Sequence, residues 1–251
     1  MYTIQLNKVR KTYDSFVAVD DLSFNIEQGG VFGLLGPNGA GKTSSIRMMI
    51  GITAPDSGEI NMFGRPFERK SLQRVGYLPE ERGLYRKMKV LDQLIFLGEL
   101  HGMSAGSARQ KAIEWCERLE ITEKLQNKVE ELSKGMQQKI QFIAALIHAP
   151  EFVIMDEPFF GLDPVNATVL KDVLLDLKKK GRTILFSTHR MDQVEKLCDS
   201  ICLINHGRSV LQGPLKQVKA QYGKRNVQIE YDGDGAFLNQ ATLVGSYNNY
   251  G

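Results

Sequence analysis

Residues Gly36-Pro37-Asn38-Gly39-Ala40-Gly41-Lys42-Thr43 follow the pattern GxxxxGK[ST], with Ser44 next in line. A glycine-rich turn of this kind lets successive backbone N–H groups wrap a polyphosphate, and a helix that follows adds the positive end of its dipole. Lys42 then reaches the β- and γ-phosphates, and the Thr43 hydroxyl is placed for Mg²⁺. The motif needs a strand before it and a helix after it. The apolar run 31–35 and the apolar-periodic segment 43–50 supply both, which argues against a chance lysine in a glycine-rich turn.

A second group of acids lies far downstream. The apolar stretch Phe152-Val153-Ile154-Met155 ends in Asp156-Glu157-Pro158. A strand that delivers two carboxylates at its C-terminal edge puts them where open α/β sheets bind ligands. Asp156 is suited to holding Mg²⁺, through water, and Glu157 to polarising an attacking water as general base. Between the two motifs lies Glu131-Leu132-Ser133-Lys134-Gly135-Met136, directly before another apolar-periodic segment. Serine and glycine at a helix start offer a hydroxyl and free N–H groups to a second anion. A plain serine N-cap is the simpler reading of Ser133 taken alone.

The elements that must position these groups can be traced along the chain. Short strands are expected over 2–6, 17–26 and 31–35, then 59–63 and 74–78. Helical spacing takes over from about Val90 to Ala149, through Leu91, Leu94 and Ile95, then Ala112, Ile113 and Cys116, then Ile140, Ile143 and Ile147. After the strand at 152–155, a helix over 165–180, a strand at 183–187, a helix over 191–197 and strands at 201–204 and 209–212 restore the alternation. Such alternation predicts a mostly parallel sheet with helices on both faces. A helix over 215–222 and a strand at 226–231 follow, and the remaining residues are too few for a domain of their own.

Composition narrows the partners. With 42% hydrophobic residues in 251, the chain can bury a proper core. A formal charge of +3, from 32 basic and 29 acidic residues, gives no reason to expect nucleic acid. The densest run, Lys178-Lys179-Lys180, suits a helix C-terminus. Cys116, Cys198 and Cys202 lack metal-binding spacing and read as structural thiols in a reducing compartment. No signal peptide and no stretch of membrane-spanning length is legible, so work at a membrane would be done from its surface.

In this order and spacing the motifs resemble the ATP-binding subunit of an ABC transporter over roughly residues 2–220. The resemblance implies an α/β P-loop NTPase fold of the ABC ATPase kind, with a mostly parallel core sheet, an N-terminal antiparallel β subdomain and a helical insert over about 84–149. It makes 1–222 the ATP-binding domain and 223–251 the truncated start of a small C-terminal accessory domain. It implies ATP and Mg²⁺ as cofactors and assigns nucleotide contacts to Gly36, Pro37, Asn38, Gly39, Ala40, Gly41, Lys42, Thr43 and Ser44. The family's signature falls on Leu132-Ser133-Lys134-Gly135-Met136, so Ser133 and Gly135 join that set. Its adenine-stacking aromatic maps onto Tyr13, its D-loop onto Gly161-Leu162-Asp163 and its switch histidine onto His189. Glu157, His189 and Lys42 become the catalytic residues, and Thr43, Asp156 and Glu80 the metal ligands. Two departures stand out. Lys134 and Met136 replace the usual glycine and glutamine of the signature, and Glu80 stands where a glutamine is usual. These departures resemble the bacterial exporter branch that is similar to sodium-efflux ATPases.

The resemblance further implies a second ATP-binding subunit, as homodimer or heterodimer, an integral membrane permease as partner, and a peripheral place on the cytoplasmic face of the membrane. Other classes fit less well. A GTPase would need a guanine-reading NKxD, and the nearest string, Asn127-Lys128-Val129-Glu130, lies in the wrong place. A chromosome-organising ATPase would need a long heptad insertion. A non-transport ABC ATPase or a nucleotide-binding regulatory module remains the alternative, and Glu157 speaks against a module that does not hydrolyse.

Overall fold

The computed structural model describes residues 1–81 and 83–222, so the expected accessory segment 223–251 lies outside the described residues. Two sheets divide the chain. The first is antiparallel, in the order β2-β1-β4-β5, from β1 (Tyr2–Tyr13), β2 (Phe16–Glu27), β4 (Ser57–Met62) and the two-residue β5 (Arg65–Pro66). The second has the order β10-β9-β3-β8-β7-β6. It comprises β3 (Val31–Leu35), β6 (Val75–Leu78), β7 (Phe152–Asp156), β8 (Thr183–Thr188), β9 (Ser200–Asn205) and β10 (Arg208–Pro214). All its pairings are parallel except β9 with β10.

Continuous apolar runs account for the parallel sheet. Every residue of β3, β7 and β8 is buried, which is what a strand covered on both faces requires. One face of that sheet packs with helix α1 (Lys42–Met49) and the antiparallel sheet, through Ile46, Met49, Phe152, Ile154 and Leu185. The other face carries α4 (Lys134–Leu146) and α5 (Pro164–Lys179), with α2 (Val90–Leu100) and α3 (Ala105–Arg118) packed beyond, through Leu94, Cys116, Ile143, Val153 and Phe186. The expectation of helices on both faces is thus modified: a second sheet shares one face with a single helix. At the margin, α6 (Met191–Leu197) and α7 (Leu215–Tyr222) close over Leu35 and Ile201 through Val194 and Leu215.

Gly76 shows how closely these layers approach. A Cβ built there would lie 2.1 Å from the carbonyl oxygen of Ala145 on α4. Only glycine lets β6 and α4 meet at that spacing.

Most element boundaries agree with the apolar periodicity, and one does not. Strand β1 runs to Tyr13, well past the Leu6 that the alternation indicates. Lys8 has φ 50° and its partner strand has Asp21 at φ 52°, with the register shifting between Leu6 and Val9. These bulges break the two-residue period without ending the pairing. The insert behaves as its spacing predicts, giving α2, α3 and α4. Cys116 and Cys202 are buried and all three cysteines are free. Of the lysine triplet, Lys178 and Lys179 end α5, and Lys178 pairs with Asp199 at 2.6 Å.

Candidate functional site

The phosphate-loop sequence connects β3 to α1, as the motif demands. Gly41 precedes the helix with φ 107°, and a Cβ there would come within 2.4 Å of the Ala18 carbonyl on β2. The loop is therefore seated against the hairpin whose tip carries Tyr13. Lys42 begins α1 and is 6% exposed. Its Nζ donates to the carbonyls of Gly36 at 2.8 Å and Pro37 at 3.2 Å, and stands 3.5 Å from Glu157 Oε1.

The two carboxylates expected after the buried strand arrive beside this loop. Thr43 Oγ1 donates to Asp156 Oδ2 at 2.8 Å, and Ser187 Oγ donates to Asp156 Oδ1. Asp156 pairs in parallel register with Ser187, which is why a β8 hydroxyl meets a β7 carboxylate. The same hydroxyl accepts the Glu157 N–H at 2.9 Å. His189 Nδ1 lies 3.0 Å from Glu157 Oε1. One chain of contacts thus runs from Thr43 through Asp156 and Ser187 to Glu157, where Lys42 and His189 converge. Ser187 is a site residue that sequence reasoning missed, although a lone serine ending the apolar run Thr183-Ile184-Leu185-Phe186 was its signal.

Electrostatics near the site follow from burial at one group and from hydrogen bonding at another. The Tyr77 phenol on β6 is pushed up to about 12, chiefly by burial and then by the Asp156 charge, against the pull of Arg47. Asp163 is the N-cap of α5 and accepts from Asn166 N at 2.9 Å. Its carboxyl is held below the usual range mainly by that backbone bond, with the Asn166 amide adding to it.

Other expected residues occupy separate places. Ser133 caps α4 by accepting from Met136 N at 3.3 Å, so the simple capping reading holds geometrically. A Cβ on Gly135 would lie 3.4 Å from Asn166 Nδ2, which puts the start of α4 beside the start of α5. Among the described residues no hydrogen bond joins Ser133 or Gly135 to the phosphate loop. Tyr13 is opposite Phe16 at the hairpin tip, both rings exposed, with Lys11 Nζ 5.7 Å from the Tyr13 centroid. Glu80 is exposed, in the turn that leaves β6. Among the described residues no three of His, Cys, Asp and Glu gather as a metal cage, and the charges of Asp156 and Glu80 both act on the Tyr77 phenol.

A family profile described as ABC transporter matches residues 19–160. The chain belongs to the ABC transporter family. It is 50% identical over 235 residues to the uncharacterized ABC transporter ATP-binding protein YhaQ of Bacillus subtilis, covering 94% of this chain and 79% of that one. It is 38% identical over 230 residues to the Nod factor export ATP-binding protein I of Paraburkholderia xenovorans, covering 90% and 76%. A solved ATP-binding subunit of an ABC transporter superposes with a TM-score of 0.82 at 28% identity, over 90% of this chain and 95% of the other. The protein is an ATP-binding, ATP-hydrolysing subunit of an ABC transporter, with the P-loop ABC ATPase fold. ABC cassettes work as dimers with membrane permeases. No described helix of this cassette is long and apolar enough to cross a membrane.

Proposed function

We propose that this cassette hydrolyses ATP in a site built from its own phosphate loop, Asp156, Glu157 and His189, and completed by the signature of a second cassette. The convergence of Lys42 and His189 on Glu157 Oε1 is the observation that carries the reading. On binding, the triphosphate takes the loop N–H groups, and Lys42 Nζ exchanges the Gly36 and Pro37 carbonyls for phosphate oxygens. Tyr13 stacks on the base, and Ser44 and the loop residues 36–43 enclose the phosphates. Glu157 Oε1 accepts a proton from the attacking water. His189 Nδ1–H donates to that carboxylate and orients it.

The donor set suits Mg²⁺. Thr43 Oγ1 and Asp156 Oδ2 are hard oxygens 2.8 Å apart, with Ser187 fixing the carboxylate from its other oxygen. Thr43, Asp156 and Glu80 would hold the ion. When bound, Mg²⁺ neutralises charge on the β- and γ-oxygens.

In this reading Ser133 and Gly135, at a helix start outside this chain's own phosphate loop, take a partner's γ-phosphate, with Asp163 beside them at the start of α5. Lys134 adds a cation there. The exposed Tyr85, in edge contact with Phe96 at 6.0 Å, belongs to the surface of the helical insert that docks a permease. The likeness to export proteins points to outward transport from the cytoplasmic face. Glu157→Gln tests the reading: ATP binding is retained, phosphate release falls about a hundredfold or more, and a dimer accumulates on size exclusion. Undiminished phosphate release overturns the assignment of the base.

A further inference from the structure

Gln141 lies on α4, about two turns beyond the Ser133 cap, and is 4% exposed. Its Nε2 donates to two main-chain carbonyls, Pro79 O at 3.2 Å and Glu81 O at 3.0 Å. Those carbonyls bracket Glu80. The turn they belong to leaves β6, and β6 pairs in parallel with β7, with Leu78 opposite Met155. The 79–81 turn therefore emerges at the same sheet edge as Asp156 and Glu157. One buried amide spans the helix that begins with Ser133 and Gly135 and the turn beside the nucleotide residues of the same chain. Its Oε1 has no hydrogen-bond partner among the described residues.

Such a link is directional. The carbonyls of an irregular turn need donors that its own backbone cannot supply, and a donor shielded from water competes with none. Among the described residues no hydrogen bond joins the start of α4 to the phosphate loop, whereas its middle is tied to the turn at the sheet edge.

We propose that Gln141 is a positioning residue: by locking the signature helix to the 79–81 turn, it makes nucleotide in one chain's loop set the attitude of the Ser133–Gly135 start shown to the partner. This rests on the shared-site reading above and adds the route by which the two sites sense each other.

The test compares the full chain with Gln141→Met, which keeps length and volume and removes both donors. The parent is expected to hydrolyse ATP with a Hill coefficient of about 2, the number of coupled sites. Gln141→Met is expected to bind ATP with the parent's affinity and melt at the parent's temperature, while its Hill coefficient falls to about 1. If the Met variant does not fold, Gln141→Leu gives the same comparison. A variant that keeps the parent's Hill coefficient overturns the inference while leaving the shared site intact. Loss of cooperativity together with ATP binding or thermal stability also overturns it, because that marks a merely structural residue. If Glu157→Gln stays monomeric with ATP, the shared-site reading fails, and this inference fails with it.

Discussion

At the scale of single residues, the site depends on hydroxyl groups as much as on charges. Ser187 serves two masters: its hydroxyl donates to Asp156 and accepts from the Glu157 N–H. Both bonds are shielded, since Ser187 is fully buried. Ser187→Ala leaves one oxygen of a buried carboxylate without its donor, at a cost of about 1–3 kcal/mol. The expected outcome is a weakened Mg²⁺ requirement curve, shifted about tenfold to higher metal, with ATP affinity in the absence of metal unchanged. Titrating Mg²⁺ against bound fluorescent nucleotide checks it. An alanine variant with the parent's metal dependence would show that Asp156 is held well enough by Thr43 alone.

At the scale of elements, close approach matters more than propensity. Gly76 lets β6 pass under α4, where an added Cβ would strike the Ala145 carbonyl. Gly76→Ala must push the strand from the helix, at about 1–3 kcal/mol by analogy with overpacked cores, and denaturant unfolding measures the loss. The sequence showed the buried strands and the amphipathic helices because their apolar periods are unbroken from end to end. It concealed the length of β1, where Lys8 and Asp21 in left-handed conformations reset the alternation. The phosphate loop and the Asp156-Glu157 pair were legible from local spacing. Ser187 and Gln141 were not, because their partners are 31 and 60 or more residues away and depend on strand order. Periodicity carries no information about which strands become neighbours.

At the scale of the whole molecule, two histidines mark the joint between the helical insert and the parallel sheet. His101 ends α2, His148 follows α4, and their rings stack at 3.7 Å. His148 Nε2 lies 3.1 Å from the Val75 carbonyl. Burial pushes His148 down from 6.5 to about 4, with the neighbouring His101 adding to the effect and the Val75 carbonyl opposing it. His101 is lowered by burial as well. For a base whose folded pKa is depressed, the unfolded chain binds the proton first. Stability is therefore complete above pH 6.5 and is lost as pH falls from 6.5 toward about 4. Urea unfolding across that window is expected to show the decline, and His148→Gln to flatten it. An equally steep decline in the variant would assign the effect to other groups.

Glu157 adopts φ 48°, a left-handed backbone that a side chain of its kind rarely takes. Glycine would sit there with less strain, but it would leave the buried Lys42 ammonium without the carboxylate that faces it at 3.5 Å. On the reading proposed above, a cassette that lost this carboxylate would still fill its place in an assembly and would no longer turn over.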